Sequence, residues 1–261
     1  MSSTLSRTLA FALLAFALPT AAWANAVIEA MSGDVRVGTS NQLLIVARVD
    51  QKLAAGTTVV TGAGAQAVLS FDDGQKVTLN QNTEFRIVDS QYVPTQPLMD
   101  RQVFDLLRGA ARFVTGAIGQ RSRTAWALRA PQMTIGIRGT DFMVAITNQA
   151  YVAVSQGAVA LSNGFATTVL GAGSVVSVAS SAAAVTGISA SALPTAASGA
   201  FASLGGSVGA GGMAVGAATG TAGAAAGGIG IGTAAAIGAA AAAAAAASGS
   251  GDSKQTTTTH H

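Results

Sequence analysis

Leu128-Arg129-Ala130-Pro131-Gln132-Met133-Thr134-Ile135-Gly136-Ile137-Arg138-Gly139-Thr140-Asp141-Phe142-Met143-Val144-Ala145-Ile146 is the stretch that decides the fold class. Apolar residues alternate at Met133, Ile135 and Ile137, and again at Phe142, Val144 and Ile146, which is the period of a strand with one face on a core. The pattern breaks at Gly139, where a residue without Cβ permits a bulge or a positive φ. The stretch reads as two strands joined at a charged Arg138-Gly139-Thr140-Asp141 corner. Arg138 and Asp141 stand near enough to pair with each other or with the backbone of the turn. No nucleophile with an activating partner is visible here, and the residues are of the kind that fix a shape.

Turn signals on both sides extend the pattern. Asp73-Gly74 separates apolar runs at 67–71 and 75–79, and Asn163-Gly164 does the same between 158–162 and 165–170, each a hairpin whose turn needs residues tolerant of positive φ. Gln156-Gly157 reads as the turn that closes the hairpin before it. Further strands are expected at 34–37, 43–49, 57–61, 83–88, 102–107, 110–115 and 174–178. Many short strands with hardly a helical period predict an all-β domain, either a sandwich or a short β-solenoid, of about 150 residues, enough for a core without a cofactor. Two segments interrupt the ladder: 90–97, with Pro94 and Pro97, and 116–124, rich in Gly, Gln, Ser and Arg. Prolines keep the first out of a ladder, and such surface loops are where a partner is expected.

The same residues resemble a known family. Pro131 running into Arg138-Gly139-Thr140-Asp141-Phe142, followed by Tyr151-Val152-Ala153-Val154-Ser155-Gln156-Gly157-Ala158-Val159, resembles the FecR domain. The likeness continues upstream through Gly33-Asp34-Val35, Gly56, Thr61-Gly62, the run from Ala67 to Gly74, and Leu107-Arg108-Gly109-Ala110-Ala111-Arg112. It ends at Leu170-Gly171-Ala172-Gly173. The resemblance implies a FecR-like β-fold with Pro131, Arg138, Gly139, Thr140, Asp141 and Phe142 as a structural motif. It also implies a link to regulators that sit in the inner membrane and couple an outer-membrane transporter to a sigma factor.

The beginning of the chain reads as an export signal. Arg7 precedes an uncharged run, Leu9 to Leu18, followed by Pro19 and the small-residue site Ala22-Trp23-Ala24, a pattern expected to be cleaved before Asn25. Export to the periplasm, outer membrane or cell surface is expected, and signalling to a sigma factor, which needs a cytoplasmic segment, becomes an alternative. There is no cysteine, so neither disulfides nor acylation contribute.

Charge and chemistry narrow the function. The formal charge is +3, and only Asp252 and Lys254 among the charged residues follow Asp141. Arg108, Arg112, Arg121 and Arg123 gather in one region and form a possible surface for an anionic partner; without interleaved aromatics, and in an exported chain, nucleic acid is not expected. Both histidines, His260 and His261, lie at the terminus, so no metal site or histidine-based triad is expected. Asp72-Asp73 beside Gly74 is what a hairpin turn asks for. No catalytic residue, metal or cofactor is assigned.

From residue 182 the sequence becomes Ala, Gly, Ser and Thr. Gly212, Gly216 and Gly220, then Gly228 and Gly232, fall four apart, a smooth stripe on a helix where another backbone can approach. The expected organisation is a signal peptide at 1–24, a FecR-like β-domain at 25–181, a Gly/Ala-rich tail at 182–251, either helical or disordered, and a polar terminus at 252–261. The expected function is an exported, non-enzymatic module that binds a protein or an envelope polymer, with membrane contact or self-association through the tail. The alternatives are a surface or fibre subunit assembled through that tail, and a regulator of sigma-factor signalling.

Overall fold

The computed structural model describes residues 25–39 and 43–205 and the backbone of 216–218. Its strands are β1 (Ala26–Ser32), β2 (Val35–Thr39), β3 (Ile45–Val46), β4 (Lys52–Leu53), β5 (Thr57–Thr61), β6 (Gln66–Phe71), β7 (Lys76–Leu79) and β8 (Glu84–Gln91). They continue as β9 (Arg101–Val114), β10 (Trp126–Ala130), β11 (Met133–Ile146), β12 (Ala150–Ser162), β13 (Thr167–Gly171), β14 (Val175–Val178), β15 (Thr186–Gly187) and β16 (Gly216–Ala218). Among the described residues two α-helices, α1 (Ala117–Arg121) and α2 (Thr195–Ser203), interrupt them. The all-β class expected from the periodicity holds. All the described strands belong to one sheet, which bends round a main core fed by residues from β1 to β14.

Glycines make the bend. β9 and β11 each run for 14 residues, about 46 Å when extended, more than twice the usual strand length. Gly109, Gly139 and Gly157, all with positive φ, let β9, β11 and β12 turn partway along. Residues 109–114 of β9 pair with 141–146 of β11, whereas the first half of β11 pairs with β10 and with the far end of β12. One strand therefore serves two walls of the fold.

This corrects two sequence-based expectations. Residues 128–146 are not two strands meeting at Arg138–Asp141, since β11 passes through as one strand with register shifts there. Gln156-Gly157 does not close a hairpin either; the turn is at 147–149, where the Thr147 N–H donates to the Gln149 carbonyl. A glycine with positive φ suits a bulge as well as a turn, and the long β11–β12 ladder selects the bulge. The Asp73-Gly74 hairpin stands as expected, between β6 and β7, with φ of 81° at Gly74. Asn163 caps the β12–β13 turn by accepting the N–H groups of Phe165 and Ala166.

The packed unit also extends past the expected boundary at 181. β11 is apolar on both faces from Phe142 to Ala145, and its outer residues Met143 and Ala145, with Tyr151, Ala153 and Val175, form a second cluster under Leu193, Ala197, Phe201 and Leu204. Those last four come from α2 and its ends. A nine-residue helix without a side-chain cap is marginal by itself, so its order comes from burying Phe201. Domain packing continues to residue 205.

Further along, the backbone of Gly216–Ala218 pairs antiparallel with Thr167–Val169 of β13. The helical stripe expected through Gly216 gives way there to strand addition. Glycine is a poor helix former, and an edge strand offers unpaired N–H and C=O groups that an extended segment satisfies. Gly212, Gly220, Gly228 and Gly232, the export signal and the polar terminus lie outside the described residues.

Candidate functional site: the Arg-Gly-Thr-Asp corner and a braced loop cleft

The corner is built around backbone exchange. Gly139 has φ of 55°, and the Thr140 N–H donates to Thr115 Oγ1 at 2.7 Å while the Thr115 N–H donates to the Thr140 carbonyl at 3.0 Å. Phe142 then enters the core stacked on Phe113, with centroids 5.1 Å apart. Pro131 sits in the turn between β10 and β11, where its fixed φ suits the first turn position. Arg138 is exposed and does not pair with Asp141.

Asp141 takes Arg112 instead. The guanidinium donates through Nε and Nη2 to the two carboxylate oxygens at 2.9 and 2.6 Å, and through Nη1 to the carbonyls of Leu204 and Gly205. This one arginine ties the corner to the end of α2. The hydrogen bond and charge of Asp141 raise the Arg112 pKa against the opposing effect of burial. Arg112→Met is expected to cost about 2 kcal/mol, below a fully buried pair because the side chains remain partly exposed. Equilibrium urea unfolding measures that loss, and limited proteolysis near 203–205 should accelerate if the clamp holds α2.

The four arginines expected to form a partner surface do not converge. Arg108 pairs with Glu84 at 3.0 Å across β8 and β9, and Arg112 is the clamp just described. Arg121 donates to both oxygens of Asp100 at 2.9 Å and to the carbonyls of Val93 and Pro94, with its guanidinium 4.7 Å from the centre of the Tyr92 ring. Arg123 is exposed, without an ion pair among the described residues. Sequence spacing brought these residues together; partners 21 to 29 positions away in the chain decide their roles.

Arg121 and Arg123 do share one feature, a cleft of about 760 Å³ between the two loops, 92–100 and 116–125. Asp100 anchors its floor with a side chain wholly shielded from solvent. Burial pushes its pKa up, but hydrogen bonds from Arg121, the Val93 N–H and Ser122, with the charge of Arg121, outweigh it and leave the pKa below the ordinary 3.8. The stabilisation is therefore complete above 3.8 and is lost as pH falls through the lower folded-state value. Hydrogen exchange at Val93 should stay protected near neutrality and rise at strongly acid pH before the core amides do. Asp100→Asn should show the unprotected rate at every pH.

A buried polar group escaped the sequence reading. Asp73, read as a turn residue, is 7% exposed; its carboxylate accepts the N–H groups of Gln75 and Ile118 and the Nε2–H of Gln102. Its carbonyl accepts the Ala117 N–H, so it seats α1 and the crossover that makes β9 and β10 parallel neighbours. Gln75 in turn accepts from the Trp126 indole N–H at 2.7 Å. The partners lie too far along the chain for spacing to reveal them. Among the described residues no group of three or more His, Cys, Asp or Glu is placed to hold a metal ion, and no helix is long and apolar enough to cross a membrane.

Fold and side chains together define a braced all-β module whose charged residues mainly tie strands and loops to one another. Residues 57–160 match the family model described as FecR protein. β1 to β4, β13 and β14 lie outside the match but in the same sheet. No curated protein matches the chain. Among solved structures, two crystal structures of a candidate anti-sigma factor from Parabacteroides distasonis, at 1.65 and 2.50 Å resolution, are similar at 17% and 18% identity, each with a TM-score of 0.41. Each alignment covers 50% of this chain and 58% of the other, so the chain spans less than two thirds of their length.

Proposed function

We propose that this chain is a FecR-type regulatory module of the cell envelope that acts by contact with a protein partner and performs no reaction of its own. The observation that carries the reading is where large apolar side chains remain outside. Ile45 and Val46 on the short edge strand β3 are 60% and 66% exposed, Val169 on β13 is 51% exposed, and Leu98 on the loop before β9 is fully exposed. Ordered apolar side chains on strand edges and turns are the raw material of protein recognition. The charged residues meanwhile are mostly engaged in internal bracing, which suits a surface that must keep its shape.

The test is binding of the purified full chain to envelope fractions. A saturable complex that disappears after protease treatment of the envelope supports a protein partner. Undiminished binding to protease-treated envelope would move the reading to an envelope polymer. The family match over residues 57–160 favours, as a second reading, regulation of a sigma factor. Deleting the gene should then shift the transcripts of one sigma-factor regulon, and an unchanged transcript profile under inducing and non-inducing conditions counts against it. Export and the tail-mediated contacts belong to the proposal as well; N-terminal sequencing of the protein recovered from cells tests cleavage before Asn25.

A further inference from the structure

We propose that the cleft beside Pro97–Met99 is the docking site for a partner-protein segment carrying an apolar side chain next to Asp or Glu. The inference rests on the protein-binding reading above and names its place and chemistry. Pro97–Met99 is a single 3-10 turn with no buried residue; Leu98 is 100% exposed and Met99 50%. Such exposure is ordinary in a loose loop, but this turn is pinned. Arg121 holds Asp100 by two hydrogen bonds and the carbonyls of Val93 and Pro94 by two more, and the one Ser122 hydroxyl proton lies within reach of both the Pro97 carbonyl and Asp100, at 3.0 Å each.

A connection between β8 and β9 needs none of this. Shielding a carboxylate from water is costly unless its hydrogen bonds are complete, and here they serve to hold a turn whose tip contributes no burial to the fold. An immobilised apolar tip is preorganised for an interface, because little conformational entropy is lost when a partner covers it. Leu98 and Met99 then supply the dry centre of the contact.

Charge fixes the partner's other feature. The cleft is lined by Arg101, Arg121 and Arg123. Asp89 neutralises Arg101 at 2.8 Å and Asp100 neutralises Arg121, whose Nε, Nη1 and Nη2 all donate within the fold. Arg123 has no such partner among the described residues, which leaves one net positive charge at the rim. A single available guanidinium beside an apolar tip complements a carboxylate side chain flanked by an apolar one.

The experiment uses the full chain with the photoreactive residue p-benzoylphenylalanine in place of Leu98, and separately of Val46 and Phe165, in cells that make the protein. The expected result is a protein adduct from position 98 that is lost when Arg123→Glu is added. With purified chain, a labelled peptide alternating Leu and Glu should bind and block that adduct, and Leu98→Asp or Arg123→Glu should each weaken it about tenfold, the effect of 1.4 kcal/mol. Both positions are exposed, so thermal midpoints should match the parent. Adducts from 46 or 165 but none from 98 overturn the cleft while leaving protein binding in place; adducts from none of the three overturn both. Equal binding of a Leu/Lys peptide, or an adduct indifferent to Arg123→Glu, overturns the acidic chemistry. A lipid adduct at 98 reassigns the surface to a membrane.

Discussion

Gly157→Ala is expected to destabilise the domain by about 4 kcal/mol, a large fraction of the 5–15 kcal/mol that holds a typical domain together. Two independent causes add. Gly157 has φ of 75°, where a residue with a Cβ is disfavoured by about 1–2 kcal/mol. The added carbon would also overlap the Gly139 carbonyl oxygen, with the Arg138 carbonyl oxygen 3.0 Å away. Both obstacles are backbone of the neighbouring strand, so no side chain can rotate aside, and forcing β11 and β12 apart costs a further 1–3 kcal/mol on the scale of overpacked cores.

The control is Gly173→Ala. Its φ of 82° is nearly the same, yet nothing lies within 4 Å of the added carbon, so only the conformational cost of about 1 kcal/mol remains. Urea unfolding of the two variants, compared at equal m-value, separates strain from collision. Equal losses would mean that the β11–β12 crossing does not depend on the close approach of Gly139 and Gly157. The difference matters because these two glycines, from separate strands, make one bend.

That bend shows what a single chain of letters can and cannot convey. Gly139 is legible, since the alternation of Met133, Ile135 and Ile137 fails there and resumes at Phe142 in the other phase. Gly157 misleads, because the same letter marks a turn or a bulge and only the partner strand decides. The all-β class follows from period two and from Asp73-Gly74. The helix α2 is hidden by its composition: Thr195–Ser203 is Ala, Gly and Ser around one Phe201, and its docking face is set by Met143 and Ala145 some fifty residues earlier. A cue existed in the unbroken apolar runs at 142–146 and 150–154, which signal a sheet covered on both faces.

The site is less legible still. Arg112, Arg121 and Arg123 look alike in sequence, yet one clamps α2, one braces a loop and one has no ion pair among the described residues. Those roles follow from Asp141 and Asp100, whose pairing is tertiary. Leu98 carries no sequence signal at all. An exposed leucine becomes informative only when the turn around it is seen to be held, and that depends on hydrogen bonds running from the crossover after β9 back to the loop before it.

The other large effect is expected at Trp126→Ala, about 5 kcal/mol. The ring is 2% exposed and meets Phe104, Phe113 and Phe142 edge-on, with centroids 5.9, 6.0 and 6.0 Å away. Removing it from a packed core costs 3–5 kcal/mol. The truncation also leaves Gln75 Oε1 without the indole N–H that it accepts, an orphaned buried acceptor worth about 1–3 kcal/mol. Trp126→Phe divides the two contributions, since it keeps an aromatic ring among the phenylalanines and loses the donor; about 2 kcal/mol is expected. Adding Gln75→Leu to Trp126→Phe should then restore part of that loss, because the acceptor leaves with its donor. If Trp126→Phe proves neutral, the Gln75 contact contributes nothing, and the Asp73, Gln75 and Gln102 network must hold the β9–β10 crossover without the tryptophan. A loss that Gln75→Leu deepens would instead show that the Gln75 side chain contributes by more than the indole bond, since the backbone N–H that Asp73 accepts survives that substitution.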